Sequence, residues 1–231
     1  MWRQLQKTGR WSGEVWNRRK SGEFFAEWLS ITLIRDAMGG ISHHVAVFTD
    51  ITHRKEDEER VWRQANYDVL TGLPNRSLFL DRLSQAVRQS HREAKSFALM
   101  FLDLDGFKAV NDTLGHAAGD VLLQQSAVRL SDCMRSSDTL ARLAGDEFVI
   151  ILQGIRGRED PTIVAGKILE QLGRPYELEN GVAQVQGSIG ISIFPDDSTD
   201  GAGLIKLADE AMYVVKRHGK NSFRFAGDRE V

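Results

Sequence analysis

Apolar and polar positions alternate in three runs between residues 11 and 51. Gly13–Arg19 predicts a first strand, and Ser21-Gly22 a hairpin turn. Phe24–Arg35, with Phe25, Glu27, Leu29, Thr32 and Ile34 interleaved, predicts a long second strand. Ala37-Met-Gly-Gly40 is a second turn signal, and Ile41–Ile51 a third strand. Three strands with no covering helix leave an apolar face open, so this run predicts part of a domain. Residues 52–66 are polar and rich in helix formers, with only Val61, Trp62 and Ala65 apolar. That predicts a connecting helix, either one strand of a short parallel coiled coil or a solvated spacer.

From Tyr67 onward helical and strand periods take turns. Asp68–Asn75 is a turn-rich loop, with Asn75 as the N-cap of a helix reaching about Glu93 and keeping Leu80, Leu83 and Val87 on one face. A strand over 96–104, a short helix near 106–112, a helix from Ala118 to Met134 and a hairpin over 139–152 follow. Asp160-Pro161 predicts a helix start with proline first, running to Leu172. Tyr176 opens a hairpin that turns at Asn180-Gly181 and returns as one strand from Val182 to Phe194. A last helix, Ala202–Arg217, buries Leu204, Ile205, Leu207, Ala208, Ala211, Met212 and Val215. This order predicts the α+β class, an antiparallel-rich sheet flanked by helices.

Composition narrows the partners. The chain has 231 residues, 42% of them hydrophobic and 27% charged, which marks a globular protein of one large domain, or one domain and a smaller piece. A net charge of -2, from 30 basic and 32 acidic residues, argues against wholesale binding to nucleic acid or to an anionic membrane. A single cysteine, Cys133, precludes an intrachain disulfide and suits a reducing compartment. No apolar run reaches membrane-spanning length, and the first residues lack the apolar core of a secretory signal. The expectation is a cytoplasmic chain, whose parent protein could carry membrane segments elsewhere.

Two acidic strand ends carry the candidate chemistry. Asp103-Leu-Asp105 ends the apolar run that begins at Ser96, and Asp146-Glu147 sits at the turn of the 139–152 hairpin. Carboxylates so placed suit divalent cations held against a nucleoside triphosphate. Taken alone, Asp146 and Glu147 are better read as ordinary polar hairpin-tip residues.

Five segments in order tip that balance. They are Asp68-Val-Leu-Thr-Gly-Leu-Pro-Asn-Arg76, the stretch from Asp103 to Asp120, Ala144-Gly-Asp-Glu-Phe148, Ser188-Ile-Gly-Ile-Ser192, and the stretch from Ala208 to Asn221. Through them residues 67–223 resemble the GGDEF diguanylate cyclases, whose fold is shared with nucleotide cyclases and polymerase palms. The first glycine of the namesake motif is replaced by Ala144. Residues 11–51, with the exit Asp50-Ile-Thr, resemble the last three strands of a PAS sensor domain. The early strands and walling helices are missing from that likeness, so it does not imply a working small-molecule sensor. The expected division is a partial PAS domain over 1–51, a linker helix over 52–66 and a GGDEF domain over 67–231.

The resemblance implies condensation of two GTP molecules into cyclic di-GMP with release of pyrophosphate. It implies Asp103, Asp146 and the backbone carbonyl of Leu104 as ligands of Mg²⁺, or of Mn²⁺, with Glu147 a further ligand or the group that deprotonates the attacking hydroxyl. Asp105 shares the face of Asp103 and is expected to be structural. Asn111 and Asp120 are the implied guanine readers. Lys108, Lys216 and Lys220 are the implied phosphate contacts, although the family often has arginine at the last of these. His116 is given no part in proton transfer. Arg135 and Asp138 match an inhibitory R-x-x-D motif that binds the product. A homodimer is implied, since each domain holds one GTP. The alternative is a catalytically weak or inactive domain acting as a cyclic di-GMP or GTP receptor, or as an interaction module. An adjoining phosphodiesterase domain of the EAL type is often found in such proteins.

If the turn at Ala144 has negative φ, the substitution costs little; if positive, roughly 1 kcal/mol.

Overall fold

The computed structural model describes residues 1–228, so the last three positions of the expected 67–231 domain lie outside the described residues. The chain forms two compact units, Met1–Arg63 and the remainder from Gln64.

In the first unit a short helix, α1 (Trp2–Thr8), precedes an antiparallel sheet ordered β1 (Arg10–Arg18), β2 (Phe24–Arg35), β3 (Ile41–Asp50). The three predicted strands are present, and α1 is an addition. Its Leu5 is buried against Ile31 and Leu33, with Trp11 and Leu29 packed alongside. On β2 the odd-numbered positions Phe25, Glu27, Ile31 and Leu33 are buried, whereas Ile34 is exposed. The Asp50-Ile-Thr exit is a joint built from hydrogen bonds. Thr52 donates from N and Oγ1 to Asp50 Oδ1, at 3.0 and 2.6 Å. Ile51 N donates to Ala26 O. There α2 (Thr52–Asn66) begins, tied back by Lys55 to Glu14 at 2.6 Å.

The second unit is a mixed five-stranded sheet with helices on both faces. Its remaining elements are α3 (Arg76–Glu93), β4 (Ser96–Asp105), α4 (Phe107–Leu114), α5 (His116–Ser131), β5 (Thr139–Ala144), β6 (Glu147–Ile155), α6 (Glu159–Leu172), β7 (Tyr176–Leu178), β8 (Gly181–Ala183), β9 (Gln186–Phe194), α7 (Gly201–Arg217) and β10 (Ser222–Phe225). The strand order is β10-β9-β4-β6-β5, antiparallel throughout except that β10 runs parallel to β9. The antiparallel-rich α+β class expected from the sequence is the one observed.

Central β4 is covered on both sides, and period two sorts its residues. Ala98, Met100, Leu102 and Leu104 join one apolar cluster, which draws Leu122, Leu123 and Leu130 from α5 and Ile168 and Leu172 from α6. Phe97, Leu99 and Phe101 join the other, with Phe79 and Leu83 of α3 and Leu204, Ala208 and Met212 of α7. Gly190 on β9 makes the α7 packing close: a Cβ there would meet Ala208 O at 1.8 Å.

Some boundaries differ from expectation. Asn75 does cap α3, accepting from Ser77 N and Leu78 N. Pro161 stands third in α6 rather than first, still within the turn whose N–H groups have no partner inside the helix. The expected single strand from Val182 to Phe194 is two strands. β8 stays with β7, while Val185, 1% exposed, tucks into the core and frees β9 to join the main sheet.

Candidate active site

The odd-numbered stripe of β4 ends in two acids. After Phe97, Leu99 and Phe101 come Asp103 and Asp105, each 7% exposed. Across the ladder Asp103 is paired with Glu147 of β6 on one side and Ser188 of β9 on the other. On α7 the apolar stripe Leu204, Ala208, Met212 continues at the same four-residue interval to Lys216. The two stripes meet where their charged ends do: Lys216 Nζ lies 2.6 Å from Asp103 Oδ2.

The β5–β6 turn brings Asp146 to the cleft at this strand end, which Glu147, paired with Asp103 across the ladder, does not border. Leu104 N donates to Asp146 O at 3.3 Å, so the backbones that carry Asp103 and Asp146 are bonded directly. Gly145 takes a left-handed φ of 53°, the conformation glycine adopts at least cost. Ala144 is not among the positive-φ residues, so the replacement of the motif's first glycine carries no backbone strain. Arg142 braces this turn, donating from Nε to Gly145 O and from Nη1 to Asp68 Oδ1, both at 2.9 Å. Burial alone would raise the Asp68 carboxyl, but hydrogen bonds from Thr71 and Arg142 outweigh it and hold the group below its ordinary value.

Asp103, Leu104, Asp105, Asp146, Lys108, Lys216 and Lys220 border one open cleft of about 430 Å³. The first turn of α4 lines it too, entered through Gly106 at a φ of 90°. A helix start offers unpaired N–H groups to an anion. Burial pushes the Asp103 carboxyl upward from its ordinary value; Lys216 pulls it back, and the charges of Asp146 and Asp105 add to the push. Burial and the neighbouring Asp103, Asp209 and Asp146 raise Glu147 likewise.

Among the described residues no group of three or more His, Cys, Asp or Glu side chains is arranged to hold a metal ion. Four carboxylates border the cleft, Asp103, Asp105, Asp112 and Asp146; Asp105 is engaged by Ser188 and Asp103 is compensated by Lys216, and Leu104 lies beside them with its carbonyl. Such a sparse, all-oxygen set fits Mg²⁺, which keeps water and phosphate oxygens in its shell and is seldom caged by protein alone. It suits a cation that arrives with a triphosphate.

The other expected residues fall at two further places. Asn111 of α4 lies against Gly119 of α5, where an added Cβ would stand 1.9 Å from Asn111 Oδ1. Asp120 is the next residue and is exposed. Neither borders the cleft, but Lys108 and Asp112, a turn or less along α4 from Asn111, do. Arg135 and Asp138 border a separate pocket of about 40 Å³ with Cys133 and Asp160. Asp138 is engaged there, accepting from Arg135 N at 2.9 Å and Gln153 N at 3.2 Å. His116 is exposed. Sequence reasoning did not anticipate the Arg142–Asp68 brace. An arginine flanked by apolar residues just before a turn was its one signal, since a strand arginine with an 11% exposed side chain needs a partner.

The chain resembles known proteins over this unit. The family model described as "Diguanylate cyclase, GGDEF domain" matches residues 65–222. The bifunctional diguanylate cyclase/cyclic di-GMP phosphodiesterase MucR of Pseudomonas aeruginosa is 44% identical over 161 residues, covering 70% of this chain and 23% of MucR. The solved GGDEF domain of TpbB from the same organism superimposes with a TM-score of 0.68 at 39% identity, covering 69% of this chain and 94% of that one. The coiled coil and GGDEF domain of DgcB from Caulobacter crescentus, solved with c-di-GMP, gives a TM-score of 0.70 at 28% identity over 76% of this chain and 93% of that one. The chain spans between 23% and 40% of the length of the first three curated relatives it matches. No helix among the described residues is long and apolar enough to cross a membrane. With the acidic β4 end and the β5–β6 turn converging as they do, and the family match spanning most of its length, the chain belongs to the GGDEF domain family.

Proposed function

We propose that this chain condenses two GTP molecules into cyclic di-GMP and two pyrophosphates. The supporting observation is that Asp103 and Asp146 share one cleft of about 430 Å³ with Lys108, Lys216 and Lys220. In this reaction the 3′-oxygen of each GTP bonds to the α-phosphorus of the other. The bond from that phosphorus to the oxygen bridging to the β-phosphate breaks, and pyrophosphate leaves with the electron pair.

Asp103, Asp146 and the Leu104 carbonyl would hold Mg²⁺ or Mn²⁺, whose charge when bound neutralises triphosphate and acidifies the attacking hydroxyl. Glu147 is the residue for the proton, since its raised carboxyl is a better match for a base near neutral pH than an ordinary glutamate. Lys216 trades its contact with Asp103 for phosphate, while Lys108 and Lys220 take the outer phosphates. Asn111 and Asp120 read guanine, whose N1–H and amino group suit a carboxylate and whose O6 and N3 suit an amide; adenine would leave them unpaired.

Each domain binds one GTP, so catalysis takes two copies facing each other, with α2 as the element that couples them to an upstream signal. Residues 11–51 are proposed as the closing strands of a PAS domain, and a cytoplasmic setting is proposed for the whole.

A second role, as a receptor, is favoured by one observation: Arg135 and Asp138 border a pocket that neither Asp103 nor Asp146 lines. Product bound there would inhibit an active domain or signal from an inactive one. Incubation with GTP and Mg²⁺ followed by chromatography separates the two. Cyclic di-GMP from the wild type and none from Asp146→Ala supports the cyclase; GTP binding without product leaves the receptor.

A further inference from the structure

Asp105 borders the cleft, yet its carboxylate is directed at the protein. Ser188 Oγ donates to Asp105 Oδ2 at 2.7 Å, and Asn221 N donates to the same oxygen at 3.4 Å. Ser188 is fully buried on β9, which makes Asp105 a link between the sheet and the α7–β10 turn. That turn is unusual. Gly219, Lys220 and Asn221 follow one another with φ of 116°, 63° and 46°. Two of these are side-chain-bearing residues in the left-handed region, which persists only where surrounding structure over-determines it. A further tie on the turn is Lys220 N to Val215 O, at 3.1 Å. Lys220 itself borders the cleft and is exposed, so the backbone of the turn aims its side chain.

We infer that Asp105 is a positioning residue: it fixes the left-handed turn at 219–221 so that the Lys220 ammonium is delivered to the triphosphate. This rests on the GTP-binding reading of the cleft. Its carboxylate oxygen is taken up by Ser188 and Asn221, so it acts through Asn221 and Lys220. An uncharged acceptor at position 105 retains part of the function, because the bond from Asn221 needs an oxygen and not a charge.

The test combines two measurements on the full chain. Hydrogen exchange reads the turn without ligand: Asn221 N–H exchanges about tenfold faster in Asp105→Ala than in wild type, with Asp105→Asn between them. Binding of GTP with Mg²⁺ reads the consequence. Asp105→Ala and Lys220→Ala each weaken GTP about tenfold, and the double variant is no weaker than Lys220→Ala alone. Binding of GMP, which lacks the outer phosphates, changes little. Unaltered exchange at Asn221 in a folded Asp105→Ala variant overturns the inference, as do fully additive losses of GTP affinity, which would mark Asp105 as a direct ligand. Should the wild type bind no GTP, the cleft assignment fails, and the exchange result still decides whether Asp105 sets the turn.

Discussion

Lys216 Nζ sits 2.6 Å from Asp103 Oδ2 because an i+4 stripe on α7 and an i+2 stripe on β4 run side by side and end together. The pair is only partly shielded, with side-chain exposures of 31% and 10%. It keeps a buried carboxylate compensated; in the proposed reaction a cation would replace the ammonium, which would then face phosphate. Lys216→Ala is expected to lower kcat/KM for GTP by roughly 10²-fold, in line with loss of one charge-stabilising group. Lys216→Met keeps the stem packing but not the charge and loses as much. Recovery of activity in the Met variant would mean that Lys216 serves packing alone.

Asp103 sets function against stability. Its carboxyl is raised by burial, with Lys216 pulling back and Asp146 and Asp105 adding to the push. For an acid with a raised folded value, protonation favours the fold. Stability from this group is fully present below the unfolded pKa, near 4, and is lost as pH rises through the higher folded value. In the absence of cation, Asp103→Asn should therefore raise the melting temperature at pH 7 by a few degrees. The gain should shrink as pH falls towards 4, while cyclase activity is abolished. Melting curves at pH 7 and pH 4 in a chelating buffer check this, and a wild type that melts higher than Asp103→Asn at pH 7 contradicts it.

Gly119 keeps α4 and α5 close enough for Asn111 to lie across the start of α5. A Cβ at 119 would stand 1.9 Å from Asn111 Oδ1 and 3.3 Å from Phe107 Cε2. Because the nearer atom is the end of a side chain, Gly119→Ala should displace Asn111 without unfolding the domain. The expected result is a KM for GTP raised about tenfold, with the preference for GTP over ATP reduced. An unchanged KM would separate Asn111 from base recognition.

Local pattern made much of this molecule legible. The alternation 97-99-101-103-105 on β4 placed Asp103 and Asp105 on one face, and Asn75 announced the start of α3. What escaped depends on partners far along the chain. β10 is four residues long and joins β9 in parallel after two non-glycine left-handed residues, so no period announces it. Leu5 is the one fully buried residue of the seven in α1, too little for a helical signature. The split between β8 and β9 turns on Val185 entering the core, which nothing local dictates. The bonds of Arg142 to Asp68 and of Asp105 to Asn221 span 74 and 116 residues.

Arg135 and Asp138 are neighbours in one motif but are not equivalent in the fold. Asp138 accepts from Arg135 N and Gln153 N, tying the turn after α5 to β6. Arg135 is exposed. If product binds this turn, Arg135→Ala should remove inhibition by added cyclic di-GMP and leave the melting temperature unchanged. Asp138→Ala should remove inhibition and also cost about 1 kcal/mol, as loss of a capping acceptor does. Inhibition titrations paired with thermal melts read both effects. Equal melting of the two variants would show that the Asp138 bonds carry no weight in the fold, and persistent inhibition in Arg135→Ala would move the product site elsewhere.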